Sequence, residues 1–285
     1  MRVPARVSAA ALSLVLVACG ASPVPSEASN APVGPPPPDA EIGRVVRVID
    51  GDTVDVAVDG GAVRRVRLIG INAPERGECL SDAATGALTG LAPPGGVVGM
   101  TVDTSDEDRY GRLLRYLWGD EGSINEELVR RGLAVAVRYP PDTAMAERFE
   151  AAGAEAESAR RGVWAPDACG PVAGGAIVVA DIAFDPPGAD DGHLDGEWIA
   201  LRNVTSSMLD LTGWSLKDGS ASHRYRFPDD FVLAAGAIVR VHSGCGVDDS
   251  TDLHWCEGSA IWNNDGDVAF VIDRSGAVVA TYRYG

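Results

Sequence analysis

Acids and arginines recur through the N-terminal half of this chain at spacings that chemistry can use. The turn Asp50-Gly51-Asp52-Thr53 carries two carboxylates. A hairpin needs only one turn-former beside its glycine, since Asp-Gly already tolerates positive φ. The stretch RVRLIGINAPE adds Arg67 within a strand pattern, then Asn72 and Glu75 in the loop that follows; DEDRYGRLLRYL adds Asp108, Tyr110 and Arg112. Taken singly, each has an ordinary reading: Asp52 as a turn former, Arg67 and Arg112 as exposed strand residues, Glu75 as a solvated loop acid. Taken together they offer carboxylate and amide oxygens for a hard cation, a carboxylate able to orient or deprotonate water, and planar forks that grip phosphate. Hydrolysis of a phosphodiester needs those parts: an oriented water, neutralised phosphate oxygens and stabilised charge on five-coordinate phosphorus.

The elements that must hold these residues follow from the hydrophobic pattern. Val45 to Ile49, Val54 to Val58 and Val63 to Ile69 read as three strands, joined by tight turns at Asp50-Gly51 and Asp59-Gly60-Gly61. Val97 to Val102 and Leu113 to Trp118 read as two more. Ile124 to Arg131 is predicted as a short helix, with Ser123 as N-cap and Glu126 completing a capping box. Ala144 to Arg161 is predicted as a longer one, capped by Thr143 and stopped by Gly162. Ser81 to Leu91 also reads as helix despite Gly86 and Gly90. Five short strands with two or three helices predict a small closed barrel with helices packed on it.

The motifs occur in a telling order: Asp-Gly-Asp-Thr, Arg67 to Glu75, Asp108-Arg109-Tyr110-Gly111-Arg112, then INEELVRRGLA. That series resembles the staphylococcal nuclease (thermonuclease) family over about Ile42 to Trp164. The resemblance implies an α+β fold, a five-stranded OB-fold barrel with three helices. It implies Ca²⁺ as cofactor, held by Asp52, Asn72 and the Ala73 carbonyl, with Arg67, Glu75 and Arg112 as the catalytic residues. Glu75 would orient or deprotonate water, both arginines would grip phosphate, and Arg112 would ease departure of the 5′ oxygen. Asp50 is left to fix the turn. Tyr110 and Tyr139 would contact the nucleotides, although the match at Tyr139 needs a gap. The family carries aspartate where this chain has Asn72, so one formal charge is missing and weaker Ca²⁺ binding is expected.

The N-terminus reads as an address. Arg2 and Arg6 precede an apolar run from Ala9 to Ala18 that is too short to span a bilayer. Leu16-Val17-Ala18-Cys19 resembles the lipobox of bacterial lipoproteins, which makes residues 1–18 a signal peptide and Cys19 the lipidated residue. The alternative is an ordinary secretory signal. Residues 19–41, rich in Ala, Ser and Pro, read as an extended spacer. In an oxidising compartment Cys79, Cys169, Cys245 and Cys256 read as two disulfides. Of the three possible pairings, domain placement favours Cys79–Cys169 and Cys245–Cys256. The chain carries 24 basic against 41 acidic residues, so no global basic field draws it to nucleic acid.

A Pro- and Gly-rich break at Ala165 to Ala176 separates residues 42–169 from residues 176–285, where short alternating strands predict an all-β sandwich. The series from Glu197-Trp198-Ile199 to the terminal strand resembles a lamin tail domain, which is immunoglobulin-like and contributes positioning or binding without catalytic residues. Trp198, Trp214, Trp255 and Trp262 are expected in its core or against a partner. His193, His223, His242 and His254 lack paired metal-ligand spacing. The expected protein is a monomeric, exported, membrane-anchored, Ca²⁺-dependent nuclease acting on DNA and RNA with low sequence specificity, its tail free for a cell-envelope partner. Removal of residues 176–285 is expected to leave cleavage of short oligonucleotides within a few-fold. The alternative is a non-catalytic nucleic-acid-binding or cell-envelope interaction protein.

Overall fold

The computed structural model describes residues 35–165, 168–169, 175–187, 194–220 and 223–285. The expected signal peptide, Cys19 and His193 lie outside the described residues. Five strands form the first domain's barrel: β1 (Glu41–Val48), β2 (Thr53–Ala57), β3 (Val63–Leu68), β4 (Val97–Thr101) and β5 (Leu113–Gly119). They pair antiparallel in the order β3-β2-β1-β4-β5, and a parallel pairing of β3 with β5 closes the barrel. Alternation does the sorting. Val54, Val56, Val66 and Leu68 are fully buried inside, while Asp55 faces Arg47 and Arg65 on the outside, at 2.7 and 2.9 Å.

Three helices cover the barrel: α1 (Ser81–Leu91), α2 (Ile124–Arg130) and α3 (Ala146–Ser158). At α2 the capping box is half made. Ser123 Oγ accepts from the Glu126 N–H at 3.3 Å, but the Glu126 carboxylate pairs with Arg130 and Arg148 instead of turning back. Asn125, fully buried, ties α2 to the barrel by donating to the Ile69 carbonyl and accepting from the Leu117 N–H, both at 2.9 Å. α3 is shorter than its pattern suggests, starting after Met145 and ending before Arg160, whose φ of 51° leaves helical geometry. The proline segment also ends differently from an extended spacer. The Ala40 N–H closes a turn on the Pro37 carbonyl, and Pro36 lies close enough to Gly99 that a Cβ there would stand 2.7 Å away.

The second domain is a sandwich of two four-stranded sheets, with a further short two-stranded pairing beside them. One sheet runs β11 (Asp252–His254), β10 (Ile238–His242), β7 (Trp198–Asn203), β6 (Ile177–Ala183). The other runs β9 (Arg224–Arg226), β8 (Ser215–Lys217), β12 (Asp267–Ile272), β13 (Val278–Tyr284). Ile199, Leu201, Leu216, Val239, Val241 and Trp262 fill the space between them. Trp214 is also buried there, while Trp198 and Trp255 are partly exposed. Disulfides join Cys79 to Cys169 and Cys245 to Cys256, as domain placement suggests.

The domains share a buried seam. All of β12 is buried. Ala269 and Val271 enter the sandwich core, while Val268, Phe270 and Ile272 pack with Val135, Val137, Val163 and Trp164 of the barrel domain. The rings of Trp164 and Phe270 lie 6.0 Å apart.

At one end of this seam, burial and the neighbouring Asp218 push the Asp267 carboxyl up to about 7, and hydrogen bonding to Asp218 raises the His223 imidazole. Both shifts tilt stability the same way. The raised histidine contributes most below its unfolded pKa and loses that contribution as pH rises through the folded value. The raised carboxyl is disfavoured in its charged form, so its ionisation up to and through about 7 also destabilises. Asp55, held low by Arg65 and Arg47, is ionised throughout this window and adds no slope. Thermal unfolding of the whole chain is therefore expected at a lower temperature at pH 8 than at pH 6. Asp267→Asn combined with His223→Gln should flatten that difference; a melting temperature that rises with pH in the wild type contradicts the assignment.

Candidate active site

Closure of the barrel gathers the arginines. In the parallel β3–β5 ladder, Val66 lies opposite Leu113 and Arg67 opposite Leu114, so Arg112, one residue before β5, stands at the same end of the barrel as Arg67. In the antiparallel β2–β3 ladder Thr53 lies opposite Arg67, which brings the Asp50 to Thr53 turn beside that guanidinium. Gly51 serves here for a reason other than positive φ. It is not in the left-handed region, but a Cβ on it would fall 2.5 Å from Ala73 and 2.7 Å from Ala84. The turn can press against the Asn72–Ala73 segment and α1 only with glycine in that place.

Asp52 is almost fully buried and has partners on both oxygens. The Ala73 N–H donates to Oδ2 at 2.8 Å, Arg67 Nη2 stands 3.2 Å from Oδ2, and Thr53 Oγ1 donates to Oδ1 at 3.1 Å. The Asp50 side chain accepts from the Asp52 N–H at 3.2 Å, so the first acid of the turn fixes its backbone. Arg67 is pinned by donating to the Leu68 and Ile71 carbonyls and to Asn72 Oδ1, the last two at 3.0 Å. Burial pushes the Asp52 carboxyl up, while Arg67 and the Ala73 N–H hold it down. Glu75 is exposed on the following loop. Partial desolvation raises its carboxyl, helped by the charges of Asp52 and Asp50.

Arg112 is held separately. Its Nε donates to Asp108 Oδ2 at 2.6 Å, and its guanidinium lies 5.5 Å from the centre of the exposed Tyr110 ring. Against the cost of partial burial, the N–H groups of Arg112 and Tyr110 and the Arg112 guanidinium keep Asp108 ionised below the usual carboxylate range. A cleft of about 400 Å³ opens beside these residues, lined by Asp55, Val63, Arg65, Tyr110, Gly111 and Arg112. Tyr139 stands apart from it, exposed on a turn closed by the Asp142 N–H on the Tyr139 carbonyl at 2.9 Å. Among the described residues no hydrogen bond or ring contact joins it to Tyr110. Asp52, Arg67, Asn72 and Ala73 thus form one contact set, with Glu75 on the adjoining loop and Arg112 held apart by Asp108.

The chain is similar to known proteins in both halves. Residues 65–166 match the model for staphylococcal nuclease homologues, and residues 171–285 match that for the lamin tail domain. The thermonuclease of Staphylococcus hyicus is 35% identical over 131 residues, covering 42% of this chain and 74% of that protein. The chain belongs to the staphylococcal nuclease family. The micrococcal nuclease of Shigella flexneri is 37% identical over 134 residues, covering 43% of this chain and 72% of its own. An uncharacterised endonuclease of Escherichia coli is 36% identical over 126 residues, covering 43% and 76%. These nuclease relatives align with less than half of this chain, so the lamin tail domain is an addition to the part they share.

That addition reaches the site, which sequence reasoning did not foresee. Glu78, on the loop after Glu75, pairs with Arg224 of β9 and lies 3.7 Å from the Nζ of Lys217 at the end of β8. Lys217 is the only lysine in the chain, a signal that composition alone could not interpret. The tail domain is docked on the barrel, and the seam buries apolar residues of both domains. A chain ending at residue 169 keeps the Cys79–Cys169 disulfide but uncovers Val135, Val163 and Trp164. It should unfold at a temperature lower than the intact protein by more than about 5 °C, followed by circular dichroism at the barrel's helices. Equal melting temperatures would show that the seam contributes nothing to the barrel.

Proposed function

We propose that this chain is an exported, lipid-anchored, Ca²⁺-dependent nuclease that hydrolyses phosphodiester bonds of DNA and RNA with low sequence specificity. The observation that carries the reading is the contact set of buried Asp52, Asn72 and Ala73 around Arg67, with Glu75 on the adjoining loop. The donors fit a hard cation, being carboxylate, amide and backbone oxygens. Among the described residues no group of three or more acidic, histidine or cysteine side chains converges, so water would fill much of the coordination shell. Burial raises the Asp52 carboxyl despite Arg67 and the Ala73 N–H, and a cation there would favour its charged form. Asp52, Asn72 Oδ1 and the Ala73 carbonyl would hold Ca²⁺, which supplies positive charge against a phosphate oxygen when bound.

The chain's own residues account for the rest. Glu75, exposed on the loop, with its carboxyl raised by partial desolvation and by the charges of Asp52 and Asp50, would accept the proton of the attacking water at its carboxylate. Arg67, oriented by three oxygen acceptors, would donate to a non-bridging phosphate oxygen. Arg112 would turn part of its guanidinium from Asp108 to the phosphate and the leaving 5′ oxygen, with Tyr110 stacking on a base beside it. The barrel domain carries 15 basic and 22 acidic residues between positions 41 and 170, so few counterions are released on binding and substrate should exchange quickly. Export and anchoring rest on Leu16-Val17-Ala18-Cys19; among the described residues no helix is long and apolar enough to cross a membrane.

Digestion of single-stranded DNA with Ca²⁺ and with chelator tests the reading. Cleavage lost in chelator is expected; chelator-insensitive binding without cleavage would favour a non-catalytic binding protein. Glu75→Gln, Arg67→Ala and Arg112→Ala should each slow cleavage by roughly a hundredfold or more. Wild-type rates in all three would refute the site. Asn72→Asp restores a charge beside Asp52 and should lower the Ca²⁺ concentration needed for half-maximal thermal stabilisation; an unchanged or higher requirement contradicts that role.

A further inference from the structure

The loop that carries Glu75 is built as a small ring closed by residue 78. The Glu78 N–H donates to the Glu75 carbonyl at 2.8 Å, and the Glu75 N–H donates to Glu78 Oε2 at 3.0 Å. Both backbone groups of Glu75 are thus held by one residue, three positions on. The remaining partners of that carboxylate come from the other domain. Arg224 pairs with Oε1, and its Nη1 donates to Ser215 Oγ at 2.8 Å, which orients the guanidinium along the sheet. Lys217 Nζ stands 3.7 Å from Oε2, its one salt bridge among the described residues. A narrow cavity of about 40 Å³ separates this group from Asn72, Ala73 and Pro74.

A purely adhesive seam has no use for this arrangement. The residues packed on the outer face of β12 are apolar, yet Lys217 is buried with only 7% of its surface exposed. Taking an ammonium out of water is costly unless a partner repays it. The neighbouring Asp218 supplies part of that compensation, and the ion-pair partner across the seam is Glu78, whose carboxylate closes the loop around Glu75.

We propose that Glu78, Lys217 and Arg224 are positioning residues for the nuclease reaction, the lamin tail domain clamping the Glu75 loop in its working conformation through the Glu78 carboxylate. The inference rests on the nuclease reading above, with Glu75 as the group that handles the attacking water. Placement errors near a reacting centre lower turnover far more than affinity when substrate is held by other residues. The clamp therefore acts on kcat, while Asp52, Asn72, Arg67 and Arg112 remain in place to bind.

The test uses the full-length chain, Ca²⁺ and a short single-stranded oligonucleotide. Lys217→Met, Arg224→Gln and Glu78→Gln should each lower kcat by about tenfold or more, with KM and half-saturating Ca²⁺ within about twofold of wild type. Because all three act through one carboxylate, adding Lys217→Met to Glu78→Gln should cost less than a further twofold. Arg224→Lys, which keeps the charge, should restore part of the loss seen in Arg224→Gln. A readout independent of turnover is hydrogen exchange at the Glu75 amide: protected in the wild type, faster in Glu78→Gln. It keeps the proposal testable should a core substitution fail to fold. Wild-type kcat in Lys217→Met and Arg224→Gln, with Glu75→Gln still inactive, overturns the clamp and leaves the nuclease reading standing. Wild-type rates in Glu75→Gln would sink the reading itself. Losses of melting temperature with kcat unchanged, or an unprotected Glu75 amide in the wild type, also overturn the clamp.

Discussion

The parallel ladder between β3 and β5 is the constraint from which the site follows. An antiparallel meander of five strands would leave two edges and scatter its acids and arginines along them. Pairing Val66 with Leu113 closes the sheet and sets Arg67 and Arg112 at one end of the barrel. That end is where the β1–β2 turn delivers Asp52, and where the chain leaving β3 returns through Ile71–Asn72 to pair with Val135–Ala136. The charged groups stay put because backbone holds them: Asp52 by the Ala73 N–H, Arg67 by two carbonyls. Rigid orientation of buried charge is what lets few residues act strongly.

The second organising contact is made by β12. A strand in a sandwich normally presents one face to the core and one to water. Here both faces are covered, one by the sandwich and one by Val135, Val163 and Trp164. The same docking brings the β8 and β9 ends to the Glu78 loop, so an apolar seam and a charged contact belong to a single placement of the two domains.

Much of this could be read in the sequence because its causes are local. Alternating valines located β2 and β3 to within a residue of their observed ends, and the family resemblance pointed to the residues between Asp52 and Glu75. Local pattern failed where distant contacts decide. Gly51 is needed because Ala73 and Ala84 crowd it, and no turn preference records that. α3 stops short of Arg161 although its pattern runs on, since helical periodicity does not say where the chain must turn away. The run Val268 to Ile272 is uninterrupted and buried on both sides, a feature that the reading of short alternating strands did not single out. Lys217 and Glu78 lie in different domains, and periodicity within either says nothing of their pairing.

The double burial of β12 also sets an order of events in biosynthesis. A chain made or exported from its N-terminus presents the whole barrel sequence, through Trp164, well before Asp267–Ile272 emerges. Until then Val135, Val163 and Trp164 face solvent as an apolar patch, open to aggregation or to a chaperone. The barrel's surface is finished only by a strand of the second domain, so a chain that stops before Asp267 leaves that face uncovered.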